Sequence, residues 1–245
     1  MKRVLLMSAA GLLLAHNAMA GMNNCAFALH WKVNTAKTST ICTTYSPNGT
    51  LTPCDGYITA APLSNTTTPV GSQVYMVVAR GGTEGINAVS FGIDYNGRLP
   101  GSQISPALVT ATYCTDGLAF PNDGGFGEFP KPKGGVRVTW TTCSNTVIGS
   151  KGVHAMVGAL YVYAYTADQM KITPNNNLAS GPELAVSSCA GVVTDLLQVW
   201  GPVVAQQLQA RVDFGGGAGF NPCLTTPVQP TTWGRIKTQF NAQNN

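Results

Sequence analysis

Between Asp116 and Gly135, three carboxylates are interleaved with three phenylalanines among glycines: Asp116, Phe120, Asp123, Phe126, Glu128 and Phe129. Two chemistries suit that mixture. Carboxylate oxygens on an adaptable loop can hold Ca²⁺, and aromatic rings on a loop can stack on sugar rings. The ligand spacing of an EF-hand is missing. The plainer alternative is a long loop folded over one end of the domain with its phenylalanines in the core. Asp116, Asp123, Phe126, Glu128 and Phe129 are the candidate ligand residues, with a glycan or Ca²⁺ as what they would take.

Other reactive groups point to less. Glycoside hydrolysis needs two carboxylates facing each other across a cleft, and sequence spacing does not supply that relation for Glu84, Glu183 or the scattered aspartates. Of three histidines, His16 falls in the N-terminal leader, which leaves His30 and His154. No G-x-S-x-G or S-x-x-K arrangement accompanies them, so each reads as a packed or rim residue. The run Gly215-Gly216-Gly217-Ala218-Gly219 is followed by Asn221-Pro222-Cys223, without the Lys-Ser/Thr and helix start of a phosphate-binding loop. It reads as a turn leading to an anchored cysteine.

The seven cysteines are Cys25, Cys42, Cys54, Cys114, Cys143, Cys189 and Cys223. No C-x-x-C pair is present to suggest zinc. In an oxidising compartment the default reading is disulfides with one thiol left over. Proximity along the chain suggests Cys42 with Cys54, Cys114 with Cys143 and Cys189 with Cys223, leaving Cys25 odd.

The leader supplies that compartment. Lys2 and Arg3 precede an apolar run from Val4 to Ala15, followed by Ala18-Met19-Ala20, the pattern of a secretory signal peptide over residues 1–20. The run is too short to span a bilayer as a helix, and no later stretch is long and apolar enough to do so. Removal of the leader takes the 14 basic residues to 12, against 10 acidic. So weak a balance gives no reason to expect nucleic acid as a partner.

The elements that would position these groups are mostly strands. Val89, Phe91, Ile93 and Tyr95 alternate with polar or small residues up to Asn96-Gly97, and Val136, Val138 and Trp140 alternate in the same way. Residues 74–79 are apolar on both faces, as in a central strand. In 153–166, Val153, Ala155, Val157, Ala159, Tyr161, Tyr163 and Tyr165 are expected to share one face, with Gly158 marking a bulge or bend. Shorter strands are expected at 28–33, 109–114 and 184–189. Thr194 and Asp195 can cap a helix with apolar positions Leu196, Leu197, Trp200, Val203, Val204 and Leu208, kinked at Gly201-Pro202. Beyond Pro227 and Pro230, Trp233, Ile236 and Phe240 fall at helical spacing. That tail stripe would dock on the chain's own sandwich or on a partner.

The segments VYMVVARGGTEGINAVSFGIDYNG (74–97), WTTC (140–143), GVHAMVGALYVYAYT (152–166), ELAVSSC (183–189) and GFNPC (219–223) resemble a group of secreted bacterial proteins. The strand, Gly-containing turn and second strand of 74–97 are similar to cohesin-like and other immunoglobulin-like sandwiches. The resemblance implies a fold and an extracellular address, and brings no catalytic residues. Cohesins typically lack disulfides, which sets this chain apart from them.

The expectation is a mostly β protein: a single disulfide-bonded antiparallel β-sandwich (21–223), one short kinked helix, and a Pro-containing linker with an amphipathic tail helix (224–245). Charged residues make up only 10% of the chain, less than half of the usual ~25%, which leaves surfaces with little like-charge repulsion. The expected function is a non-enzymatic secreted structural or surface-assembly module, with itself or other surface proteins as partners. A glycan- or Ca²⁺-dependent binding module is the alternative, and a secreted hydrolase the third reading.

Overall fold

The computed structural model describes residues 22–33, 53–64, 71–82, 84–95, 104, 109–114, 118–122, 129–148, 152–176, 178–200 and 210–224. These form two β-sheets with a shared core and one short helix. The strands are β1 (Ala26–Val33), β2 (Ala60–Ala61), β3 (Ser72–Gly81), β4 (Ile86–Asp94), β5 (Val109–Tyr113), β6 (Leu118–Asn122), β7 (Gly135–Ser144), β8 (Val153–Val162), β9 (Asp168–Thr173), β10 (Ala185–Ser188), β11 (Val193–Asp195) and β12 (Arg211–Phe214); helix α1 is Leu196–Trp200.

The smaller sheet has the order β1-β3-β8-β5 and is antiparallel throughout. In the larger sheet β4 is the hub. One edge of β4 carries β7 and then β6. The other carries β10 and β11 along its first half, and β9, β12 and β2 along its second. The β12–β2 pair is parallel.

Alternation places the core. Val89, Phe91 and Ile93 of β4 and Val136 and Val138 of β7 are buried, as their period of two requires. They meet Phe27 and Leu29 of β1 and Val74, Met76 and Val78 of β3 in one apolar cluster, with the Phe27 and Phe91 ring centroids 5.3 Å apart. Strand β3 is buried on both faces from Ser72 to Ala79.

Strand β8 departs from the expected single face. The pairing with β3 shifts between Met76, opposite Gly158, and Val77, opposite Met156, so β8 carries one extra residue there. Such a bulge inverts which alternate residues face the core. Val153, Ala155 and Val157 face it before the bulge, and Leu160 and Val162 after it. Ala159 joins the opposite, outer cluster, and Tyr161 and Tyr163 are turned away from the core with it.

The cysteine pairing also differs from the chain-order expectation. Cys54 is bonded to Cys223 and Cys143 to Cys189, while Cys25 is a buried free thiol. Cys114 is disulfide-bonded as well; Cys42 lies outside the described residues. Cys143 and Cys189 meet because Ser144 and Ser188 both pair with Ile86, from opposite edges of β4. The bridge passes over Gly85, where φ is +72° and any Cβ would collide with both sulfurs. These bridges fit an oxidising compartment. No helix among the described residues is long and apolar enough to cross a membrane.

Candidate functional site: an open trough on the larger sheet

The two sheets present their outer faces very differently. On the smaller sheet, segments 53–58 and 221–224 lie across the face and are joined by the Cys54–Cys223 bond. Asn221 Nδ2 donates to the Cys54 carbonyl (2.7 Å), and Arg80 Nη2 donates to the Cys223 carbonyl (2.7 Å). Arg80 sits at a second bulge with φ +61°, a strained conformation for a non-glycine residue. Beneath this cover, the His30 ring lies 5.1 Å from Tyr57 and 6.2 Å from Tyr75, and its Nδ1 accepts the Ile58 N–H at 2.9 Å. Burial first, then the neighbouring Lys32 charge, push the His30 pKa down to about 4. The ring is therefore a neutral acceptor and part of the cover.

Among the described residues, no segment comparably covers the first half of the larger sheet. The pairing registers set two rows of side chains across its outer face. One row runs Phe120, Arg137, Ser90, Ala185, Asp195, and the other Leu118, Thr139, Ala88, Ser187, Val193. The residues on β4 and β10 are alanines and serines, β7 adds Arg137 and Thr139, and the edge positions carry Leu118 and Phe120 on one side and Val193 and Asp195 on the other. Small floor and bulky walls make a trough with a cavity of about 320 Å³. Four strand spacings of ~4.8 Å make it about 19 Å across. Its walls are exposed: Leu118 at 64%, Phe120 at 51% and Val193 at 63%.

One ion pair crosses the floor. Arg137 Nε and Nη2 both donate to Glu183 Oε2, at 3.1 and 2.9 Å. Asn175 Nδ2 reaches Ser90 Oγ at 3.4 Å, toward the end of the trough where Glu183 pairs with Asn175. A largely apolar depression crossed by one ion pair suits docking of a partly apolar surface.

Among the candidate ligand residues only Phe129 is described. Phe129 is in the core, not on a ligand loop: it is 5% exposed, with its ring edge-on to Phe91 at 5.6 Å and 6.4 Å from Tyr113. Asp116, Asp123, Phe126 and Glu128 lie outside the described residues, as do the tail residues Trp233, Ile236 and Phe240. The 116–135 segment contains strand β6, and Phe120, among its described residues, is exposed in the trough wall. Pro121 is what hides that strand in the sequence, since proline is tolerated only on sheet edges, and β6 pairs with β7 alone.

Two further groups have structural roles. Asp213 accepts hydrogen bonds from Arg211 Nε (2.8 Å) and the Gly219 N–H (3.0 Å). The glycine run thus folds around a carboxylate of its own chain, with positive φ at Gly215, Gly216, Gly217 and Gly219. Asp195 Oδ1 accepts the Leu197 N–H at 2.9 Å and caps α1. The helix is described only to Trp200, so the expected kink at Gly201-Pro202 lies outside the described residues.

No protein-family model matches the chain, and no curated protein matches it.

Proposed function

We propose that this protein is a non-enzymatic extracellular module of a surface or matrix assembly, exported through the leader at residues 1–20, with an immunoglobulin-like sandwich of the cohesin kind. The trough is the surface through which it associates, and the occupant we assign to it is a second copy of the chain. The observation that carries this reading is the self-complementarity of the face. A two-fold interface requires one patch to fit itself, and here bulky walls flank a floor of alanine and serine. A staggered pairing seats the Phe120 wall of each copy on the floor of the other. Arg137 and Glu183 give each face one ion pair whose partners can be exchanged across the two-fold axis, with Asp195 at the rim. The scarcity of charge over the whole chain removes a further barrier to association.

Sedimentation velocity of the mature protein over a range of concentrations tests this. The expected result is a concentration-dependent dimer or larger species that Phe120→Glu abolishes without changing the melting temperature. A species that stays monomeric at every concentration, or association indifferent to Phe120→Glu, would sink the proposal.

A further inference from the structure

On the other sheet, the bulge in β8 leaves a cluster of aromatic side chains outside the core. The Tyr161 and Tyr163 rings meet edge-to-face at 5.1 Å and 86°, and the Tyr163 and Tyr165 rings lie nearly parallel at 6.0 Å and 11°. The Tyr161 and Tyr163 hydroxyls share a hydrogen bond of 2.8 Å. The Tyr161 ring lies across Gly71, where any Cβ would overlap it, and the Gly71 backbone hydrogen-bonds to the phenol.

The backbone beneath is pinned. Ala164, between two of the tyrosines, is fully buried. Its N–H donates to Ser64 Oγ (3.0 Å), and its carbonyl accepts the Ser64 N–H (2.7 Å). Tyr163 and Tyr165 therefore project on the side opposite a fixed anchor. Tyr165 is 37% exposed. On edge strand β5, Thr110 pairs with Tyr161, Thr112 lies one row away, and both are exposed. The charge in the outer row is Lys32, two strands from Tyr161.

We infer that Tyr161, Tyr163 and Tyr165, with Thr110 and Thr112, form a binding platform for neutral polysaccharide. A sugar ring offers a C–H face to an aromatic ring and hydroxyls to its rim, and a tyrosine matches both demands with an apolar body and a polar tip. Rings already fixed by one another and by the backbone lose little conformational entropy when a ligand settles on them. Partial burial, then the bond to Tyr163, raise the Tyr161 phenol to about 12, so it stays a neutral donor at physiological pH. A platform of phenols and threonine hydroxyls has nothing to pair with a charged ligand.

The test is affinity electrophoresis of the intact mature protein in native gels cast with soluble β-glucan, xylan or galactomannan. Retardation by at least one of the three is expected. Tyr163→Ala and Tyr165→Ala should weaken it at least about tenfold, the equivalent of one aromatic contact, with unchanged melting temperatures. Tyr165→Phe should keep most of the binding. Equal mobility with and without every one of the three polysaccharides would overturn the proposal. So would alanine variants retarded like the parent.

Discussion

The outer faces of the two sheets make the most instructive comparison in this molecule. On the smaller sheet, β3 is buried on both sides because residues from distant parts of the chain, Cys54 and Cys223, are bonded over it. On the larger sheet, β4 is equally central, yet its outer residues Ala88 and Ser90 form the floor of an open trough. Covering a face needs apolar outer residues to cover, and here the sequence differs. Strand β3 offers Tyr75, Val77 and Ala79 outward, whereas β4 offers Ala88, Ser90 and Gly92. A covered face contributes stability, and an open one is available for association.

Removal of the cover should have the largest effect. Replacing Cys54 and Cys223 together with serine should cost about 5 kcal/mol, the chain-entropy value for a loop longer than a hundred residues; the bridge spans a sequence separation of 169. Replacing Cys143 and Cys189, at a separation of 46, should cost about 1 kcal/mol less. Urea unfolding of both variants measures the order, and the reverse order would show that the cover contributes little.

Two phenylalanines close in sequence sharpen the contrast. Phe129→Ala should cost about 3–5 kcal/mol, as for a large core side chain, whereas Phe120→Ala should stay within about 0.5 kcal/mol. Comparable losses in thermal unfolding would mean that the trough wall is packed after all.

The cover should also respond to acid. His30 titrates near 4 in the fold and near 6.5 when unfolded. Between those values the unfolded chain binds more protons, so the contribution is complete above about pH 6.5 and declines as pH falls toward 4. Burial lowers the His154 pKa in the same direction. Melting temperatures should fall from pH 7 to pH 5, and less steeply in His30→Asn, whose amide oxygen can still accept the Ile58 N–H. Identical slopes in the two proteins would remove His30 from this account.

The smallest effect belongs to the trough floor. Arg137→Ala should change stability by about 0–1 kcal/mol, since the Arg137 side chain is 48% exposed, while reducing self-association in the same sedimentation experiment.

Strands with unbroken alternation were legible from residues alone, β4 and β7 most plainly, because burial on one face forces a period of two. Strand β12 was not: Val212, Asp213 and Phe214 are all buried, and the carboxylate is accommodated only because the glycine loop and Arg211 close over it. In β8, Gly158 marks the bulge in the sequence, but the change of face beyond it is not legible, because apolar residues continue on both sides of the extra residue. Disulfide partners depend on which strands flank β4, a fact of topology that cysteine spacing does not carry. The trough is not legible in the sequence because its signal is small residues set side by side on two strands, β4 and β10, and each strand taken alone looks ordinary.

The buried thiol of Cys25 bears on how the oxidised framework survives. Its sulfur lies 3.4 Å from Met22 Sδ, and burial raises its pKa to about 12. At neutral pH the buried thiol stays protonated, and it is the thiolate that attacks disulfides. A chain whose first strand has not yet docked exposes that thiol, and an exposed thiol of ordinary pKa can exchange with disulfides. Docking of β1 withdraws that nucleophile, so the same event that completes the smaller sheet locks the bridges in place.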